Sequence, residues 1–243
     1  MVCQDLPDYT RKMIIEYTGG FMGLEELAVR LGSIVPWDMR GNVVFMEDFE
    51  TEETEWDKTE VKAGDSVTRQ TRRKWSGNWA MKMVTSDVNN AETRLYRDIA
   101  HPGDTKVAIF SRIAFDRDLR DLRFGFLEHK GVPLNRFFLR YQLQTTELSI
   151  HIEPDIWEVI DDSLNFEPTT YIWLPICLTV NLETSKYDKL RMGSHEYDIS
   201  AYGPDIGVIN RTPLLRPYVY NHEIDDVGAT IYVDDIVLVK NVP

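Results

Sequence analysis

Trp173-Leu174-Pro175-Ile176-Cys177-Leu178-Thr179-Val180-Asn181-Leu182 repeats with a period of two. Leu174, Ile176, Leu178, Val180 and Leu182 fall on one side, and Trp173, Pro175, Thr179 and Asn181 on the other. Successive side chains of extended backbone point to opposite faces, so a half-buried antiparallel strand produces this pattern. The same period runs through Val107, Ile109, Ile113 and Phe115, and through Phe137, Leu139, Tyr141 and Leu143. It returns where Leu148, Ile150 and Ile152 are set against Glu147, Ser149 and His151. Turn-forming clusters separate the runs: Ala63-Gly64-Asp65, Ser76-Gly77-Asn78, Pro102-Gly103-Asp104, Lys130-Gly131-Val132-Pro133 and Gly203-Pro204-Asp205. Many strands of similar length with turns between them predict an all-β chain folded as an antiparallel β-sandwich.

Upstream the pattern changes. Leu24, Leu27, Ala28 and Leu31 mark the apolar face of a short helix that Gly32 stops, and Pro36-Trp37 and Gly41-Asn42 lead into the first strand. A helix of about nine residues is not stable alone, because nucleation is costly. Leu24, Leu27, Leu31 and Trp37 are therefore expected to pack on the sandwich or on another subunit. The chain divides into an N-terminal arm, residues 1–42, and a sandwich domain, residues 43–243.

Hydrophobic residues make up 43% of the 243 residues and aromatics 11%, enough for a packed core and too much for a disordered chain. The formal net charge of −13 argues against nucleic acid, whose phosphates demand a basic face. No apolar run approaches the roughly 20 residues of a membrane-spanning helix. The first residues, Met-Val-Cys-Gln-Asp-Leu-Pro-Asp, lack a basic region followed by an apolar one, so no signal peptide is expected. That places synthesis in a cytoplasm, with incorporation into a virion as one destination. Cys3 and Cys177 lie far apart and are expected as free thiols.

Two segments frame the sandwich. Val43-Val44-Phe45-Met46-Glu47-Asp48-Phe49-Glu50 opens it, and Ala229-Thr230-Ile231-Tyr232-Val233-Asp234-Asp235-Ile236-Val237-Leu238-Val239 closes it. They resemble the first and last strands of carbohydrate-binding-module-like and concanavalin A-like (laminin-G-type) jelly rolls. Trp75-Ser76-Gly77-Asn78-Trp79-Ala80-Met81-Lys82-Met83 resembles the strand after the first loop of such modules. Trp173 to Asn181, followed by Lys186 to Gly193, resembles one of their hairpins. The resemblance covers roughly residues 43 to 240 and implies a jelly roll. It also implies a structural calcium ion where first and last strands meet, with Glu47, Asp48, Glu50 and Asp235 as oxygen ligands; no other cofactor is required. Asp234 and Asp235 point to opposite faces and share one site only if a bulge intervenes.

Glu153-Pro154-Asp155-Ile156-Trp157-Glu158 resembles the acidic strand of laminarinase-type β-glucanases. By that resemblance Glu153 is the nucleophile, Asp155 its electrostatic partner and Glu158 the acid/base. Trp157, Trp173, Tyr171, Tyr218 and Tyr220 flank strands or loops and are candidate stacking platforms for sugar rings. The stretch Thr212 to Asp226, with two prolines, is expected as a long ordered loop. Three functional classes follow. The first is a non-enzymatic assembly protein, such as a phage capsid or decoration component, binding copies of itself or other shell proteins through the arm. The second is a carbohydrate-binding module with a glycan as partner, and the third a glycoside hydrolase.

Overall fold

A computed structural model describes residues 41–51, 56–223 and 226–242. Its strands, in chain order, are β1 (Asn42–Glu47), β2 (Asp57–Glu60), β3 (Ser66–Gln70), β4 (Ala80–Val84), β5 (Glu92–Tyr96), β6 (Ile99–Ala100), β7 (Lys106–Phe115), β8 (Asp121–His129) and β9 (Leu134–Gln142). They continue as β10 (Glu147–Glu153), β11 (Ile156–Asp161), β12 (Leu174–Asn181), β13 (Lys186–Met192), β14 (His195–Asp198), β15 (Asp205–Gly207), β16 (Leu214–His222) and β17 (Thr230–Lys240). Among the described residues there is no helix. The helix expected over Leu24–Leu31, and Trp37 after it, lie outside them.

The strands form two antiparallel sheets packed face to face. The first runs β14-β13-β12-β7-β17-β4-β3, with β1 paired to β17; the second runs β11-β10-β9-β8-β16-β5-β2, with β15 on β9 and β6 on β16. Between them lies one apolar core. Val107, Ile109, Leu174, Ile176, Leu178 and Leu238 come from the first sheet, and Leu95, Phe124, Phe126, Phe137, Leu139 and Ile150 from the second. Burying a side chain of this size stabilises by about 1.5–3 kcal/mol relative to leaving it in water. The terminal frame closes as the sequence implied: Val43 pairs with Val239 and Glu47 with Ile236.

The structure departs from the alternation in β12. All of Leu174–Val180 is buried, because both faces of this strand are covered. Cys177 packs with Ala108, Phe110, Val237 and Val239 on the surface away from the core. It forms no disulfide among the described residues, and burial pushes its pKa up to about 12. The expected loop from Thr212 to Asp226 is also corrected. Residues Leu214–His222 are β16, a central strand between β8 and β5. Pro217 is tolerated because its carbonyl faces Arg97, accepting its N–H at 3.4 Å, where the neighbouring chain breaks between β5 and β6. N–H and C=O of a strand residue point the same way, so the missing donor falls in that gap.

Candidate functional site: the outward face of the second sheet

Inward residues of β8, β9, β16 and β5 fill the core, so their alternates form the opposite surface of the sheet. The register lines these alternates up in rows across strands far apart in sequence. One row is aromatic. Trp157 opposes His151, Phe138 opposes Gly125, Gly125 opposes Tyr218, and Tyr218 opposes Tyr96. Four of the rings, Tyr96, Tyr218, Tyr220 and Phe138, are in contact: Tyr96 stacks on Tyr218 at 5.1 Å and Tyr218 on Tyr220 at 5.0 Å. Phe138 meets Tyr218 and Tyr220 edge-on at 5.9 and 5.7 Å. At the far end Trp157 stacks on His151 at 4.6 Å. Tyr96, Tyr220 and Trp157 are half-buried, whereas Phe138 and Tyr218 are buried.

The array is held from beneath. Tyr187 reaches through the core from the first sheet. Its hydroxyl accepts the Phe138 N–H at 3.0 Å and lies 2.8 Å from the His151 carbonyl. The β9–β10 ladder runs only as far as Leu139 and Ile150, so this hydroxyl serves backbone groups that the ladder leaves over. In the middle of the row Gly125 has φ 154°, and an added Cβ would sit 2.0 Å from the Phe137 carbonyl oxygen. Backbone crowding therefore demands glycine here, and the rings of Phe138 and Tyr218 on either side meet at 5.9 Å.

Beside the aromatic row runs a row of arginines. Arg140 opposes Arg123, Arg123 opposes Tyr220, and Tyr220 opposes Arg94. Like charges facing each other across strands are destabilising. Carboxylates one position outward offset them. Glu147 takes Arg140 Nη2 at 2.9 Å, Asp121 takes Arg123 Nε and Nη2 at 3.0 and 2.6 Å, and Glu92 takes both Nε and Nη2 of Arg94. Burial pushes the Asp121 carboxyl up, but His222 and Arg123 outweigh it and hold the group below the usual carboxylate range. Arg136 and Arg216 flank the other side of the aromatic row, paired with Asp205 and Asp98. Burial lowers the pKa of His151, with Asp205 opposing, so the ring stacked on Trp157 is biased to its neutral form.

The structure does not gather Glu153, Asp155 and Glu158 on one strand. Pro154 and Asp155 form the turn between β10 and β11, with Asp155 at φ 61°. Glu158 opposes the core residue Ile150, so it shares the inward side, and its neighbour Trp157 takes the outward one. The proline that suited a strand end has made a hairpin. Of the stacking candidates, Trp157, Tyr218 and Tyr220 meet on the outward face. Trp173 is 5% exposed and packs with Trp75, Ala80 and Ala114 on the outer surface of the first sheet. Tyr171 is exposed, with the Arg73 guanidinium 3.8 Å from its ring centre.

The residues expected to hold calcium have other partners. Glu47 accepts the Phe49 N–H at 2.8 Å, and Asp48 the Glu50 N–H at 3.1 Å. Glu50 accepts N–H groups from Asn78 and Trp79 at 2.6 to 3.1 Å. The bulge does occur: Asp235 has φ 53° and the β7–β17 register slips between Asp234 and Val237. It brings both aspartates to Ser76, but Asp235 is met by Arg112 Nη1 at 2.8 Å and Ser76 Oγ at 2.7 Å. Asp234 takes the Trp75 and Ser76 N–H groups. Donor hydrogens and a guanidinium do not fit a cation that wants six to eight oxygens. Among the described residues no group of three or more His, Cys, Asp or Glu side chains is placed to hold a metal ion.

Sequence reasoning missed Tyr96, Arg94, Arg123, Arg140 and Tyr187. Arg94 and Tyr96 are two residues apart and so share a face, which was readable. Their meeting with residues 123, 140 and 220 depends on strand order and was not.

No family model matches the chain, and no curated protein matches it. Solved structures do. A cellulose-induced protein, Cip1, superposes with TM-score 0.52 at 13% identity over 80% of this chain and 96% of its own. The Emp47p carbohydrate recognition domain gives 0.50 at 9% identity over 83% and 95%. A carbohydrate esterase from Shiga toxin-encoding bacteriophage phi24B gives 0.50 at 10% identity over 83% and 99%. The fold is a concanavalin A-like jelly roll. Binding domains and enzymes both use it, so function has to be argued from the site.

Proposed function

We propose that this chain is a carbohydrate-binding β-sandwich whose ligand lies across the outward face of the second sheet. The observation that carries the reading is the aromatic row from Trp157 and His151 through Phe138 and Tyr218 to Tyr96 and Tyr220, bordered by hydrogen-bonding side chains. Sugar rings present flat C–H faces that pack on aromatics, while their hydroxyls need planar donors and acceptors at the rim.

The reading is of binding without hydrolysis. Glycoside cleavage by two carboxyl groups requires one of them to be held protonated about 5–5.5 Å, or about 6.5–9.5 Å, from the other. Glu153 ends β10, Asp155 stands in the turn after it, Glu158 shares the inward side, and the Asp121 carboxyl on the outward face is held below the usual carboxylate range. Tyr220→Ala and Trp157→Ala are expected to weaken glycan binding about tenfold each in titration calorimetry, with the far-ultraviolet circular dichroism unchanged. Unaltered affinity in both variants removes this face as the site. Release of reducing ends from a polysaccharide that stops in Glu158→Gln would restore the hydrolase.

A further inference from the structure

The aromatic row is walled on both long sides by guanidinium groups: Arg94, Arg123 and Arg140 on one side, Arg136 and Arg216 on the other. Each of the five is matched by one carboxylate, Glu92, Asp121, Glu147, Asp205 or Asp98. Their carboxylate partners lie behind the first wall, because Glu92, Asp121 and Glu147 each sit two residues away from an arginine or from its cross-strand neighbour. The way these partners bind matters more than their number. Glu92 grips Arg94 by Nε and Nη2, Asp121 grips Arg123 by the same two nitrogens, and Glu147 with Ser149 takes Nη2 and Nε of Arg140. In each case Nη1 has no hydrogen-bond partner among the described residues, while the guanidinium group lies near an aromatic ring, Arg94 by Tyr220 and Arg123 and Arg140 by Trp157.

Three guanidinium groups in one cross-strand row are thus oriented by their Nε edge and keep donors for a ligand. Arg94 and Arg123 retain 38% and 30% side-chain exposure, so those donors are within reach of solvent. A neutral sugar has no use for a row of like charges, which costs stability to assemble. A carboxylate or sulfate on the sugar ring has: guanidinium groups offer paired donors that match it. We propose that the ligand of this face is an acidic glycan. Its sugar rings lie over Tyr96, Tyr220 and Trp157, and its anionic groups engage the Nη1 donors of Arg94, Arg123 and Arg140. This rests on the glycan-binding reading and narrows it to a charge class.

The test is titration of the full chain with three probes: an oligoglucuronate hexamer, an oligogalacturonate hexamer and cellohexaose. The acidic oligomers are expected to bind about tenfold or more tightly than cellohexaose. Arg123→Gln and Arg140→Gln should each weaken acidic binding about tenfold and weaken any neutral binding less. Glu147→Gln works in the opposite direction. It removes the charge that holds Arg140 and, with the far-ultraviolet circular dichroism unchanged, should strengthen acidic binding about threefold or more. Cellohexaose binding as tightly as the acids, or Glu147→Gln weakening them, overturns the acidic assignment while the glycan-binding reading stands. Binding of none of the three, confirmed by an empty array of neutral and acidic glycans, overturns both.

Discussion

At the residue scale the molecule repeats one device: a buried or half-buried charge held by a partner that also fixes its direction. Arg112 is the deepest case. It is 2% exposed, carries its guanidinium 4.3 Å from the centre of the Trp75 ring, and bonds Asp235 at 2.8 Å. Burial pushes the carboxyls of Asp234 and Asp235 upward, and the Arg112 charge pulls Asp235 back. Removing the cation alone is worse than removing both charges, since the remaining carboxylate stays buried. Arg112→Met should therefore cost about 3–5 kcal/mol at pH 7 in urea unfolding. A carboxyl whose folded pKa lies above its unfolded one loses stability as pH rises between the two. The penalty of Arg112→Met should accordingly shrink as pH falls toward 5 and Asp235 takes up a proton. A penalty that is flat with pH would show that Asp235 is not the group left stranded. Added calcium should not restore this variant, because the Asp234 and Glu50 oxygens already accept N–H groups.

At the scale of elements, the strands were largely readable and their neighbours were not. Leu174 to Leu182 alternates as half-buried backbone should, and β12 forms there; what alternation missed is that Cys177 is covered as well. The stretch Glu153–Glu158 has the residue types of a catalytic strand. Pro154 and a positive φ at Asp155 turn it into a hairpin. Leu214–His222 looked like a loop because of Pro213, Pro217 and its polar residues. It is a central strand because Pro217 meets a gap in its neighbour. Tyr187 ties such elements across the core, from β13 to the junction of β9 and β10. Tyr187→Phe would leave the Phe138 N–H and His151 carbonyl buried without this partner. The expected cost is about 1–3 kcal/mol, with a weaker glycan affinity from a loosened Phe138–His151 pair. Unchanged stability together with unchanged affinity would show that the aromatic row is set by packing alone.

At the scale of the whole molecule, one core joins both sheets, and the first described strand pairs with the last. The main core is shared between the sheets, and the first sheet's own outer clusters are small, so neither sheet should survive the loss of the other. Thermal unfolding followed by tryptophan fluorescence and by far-ultraviolet circular dichroism is expected to give coincident transitions. Separate midpoints would mean that the sheets are independent units. Closure of a β-sandwich by its ends also delays folding until distant segments meet, and refolding on the order of milliseconds to seconds or slower is expected.

The amino-acid sequence by itself determined the alternating strands, the turns between them and the two terminal segments that close the sandwich. It did so because period-two burial and turn chemistry are local properties of a chain. Only the tertiary structure decided that Tyr218 and Tyr220 share a strand face, and that Arg94, Arg123, Arg140 and Tyr220 stand in one row with Tyr96, His151 and Trp157 beside them. Those residues come from six strands whose order in the sheet is unlike their order in the chain. Strand order and register are fixed by burial of both sheets at once, and no local pattern of residues encodes them.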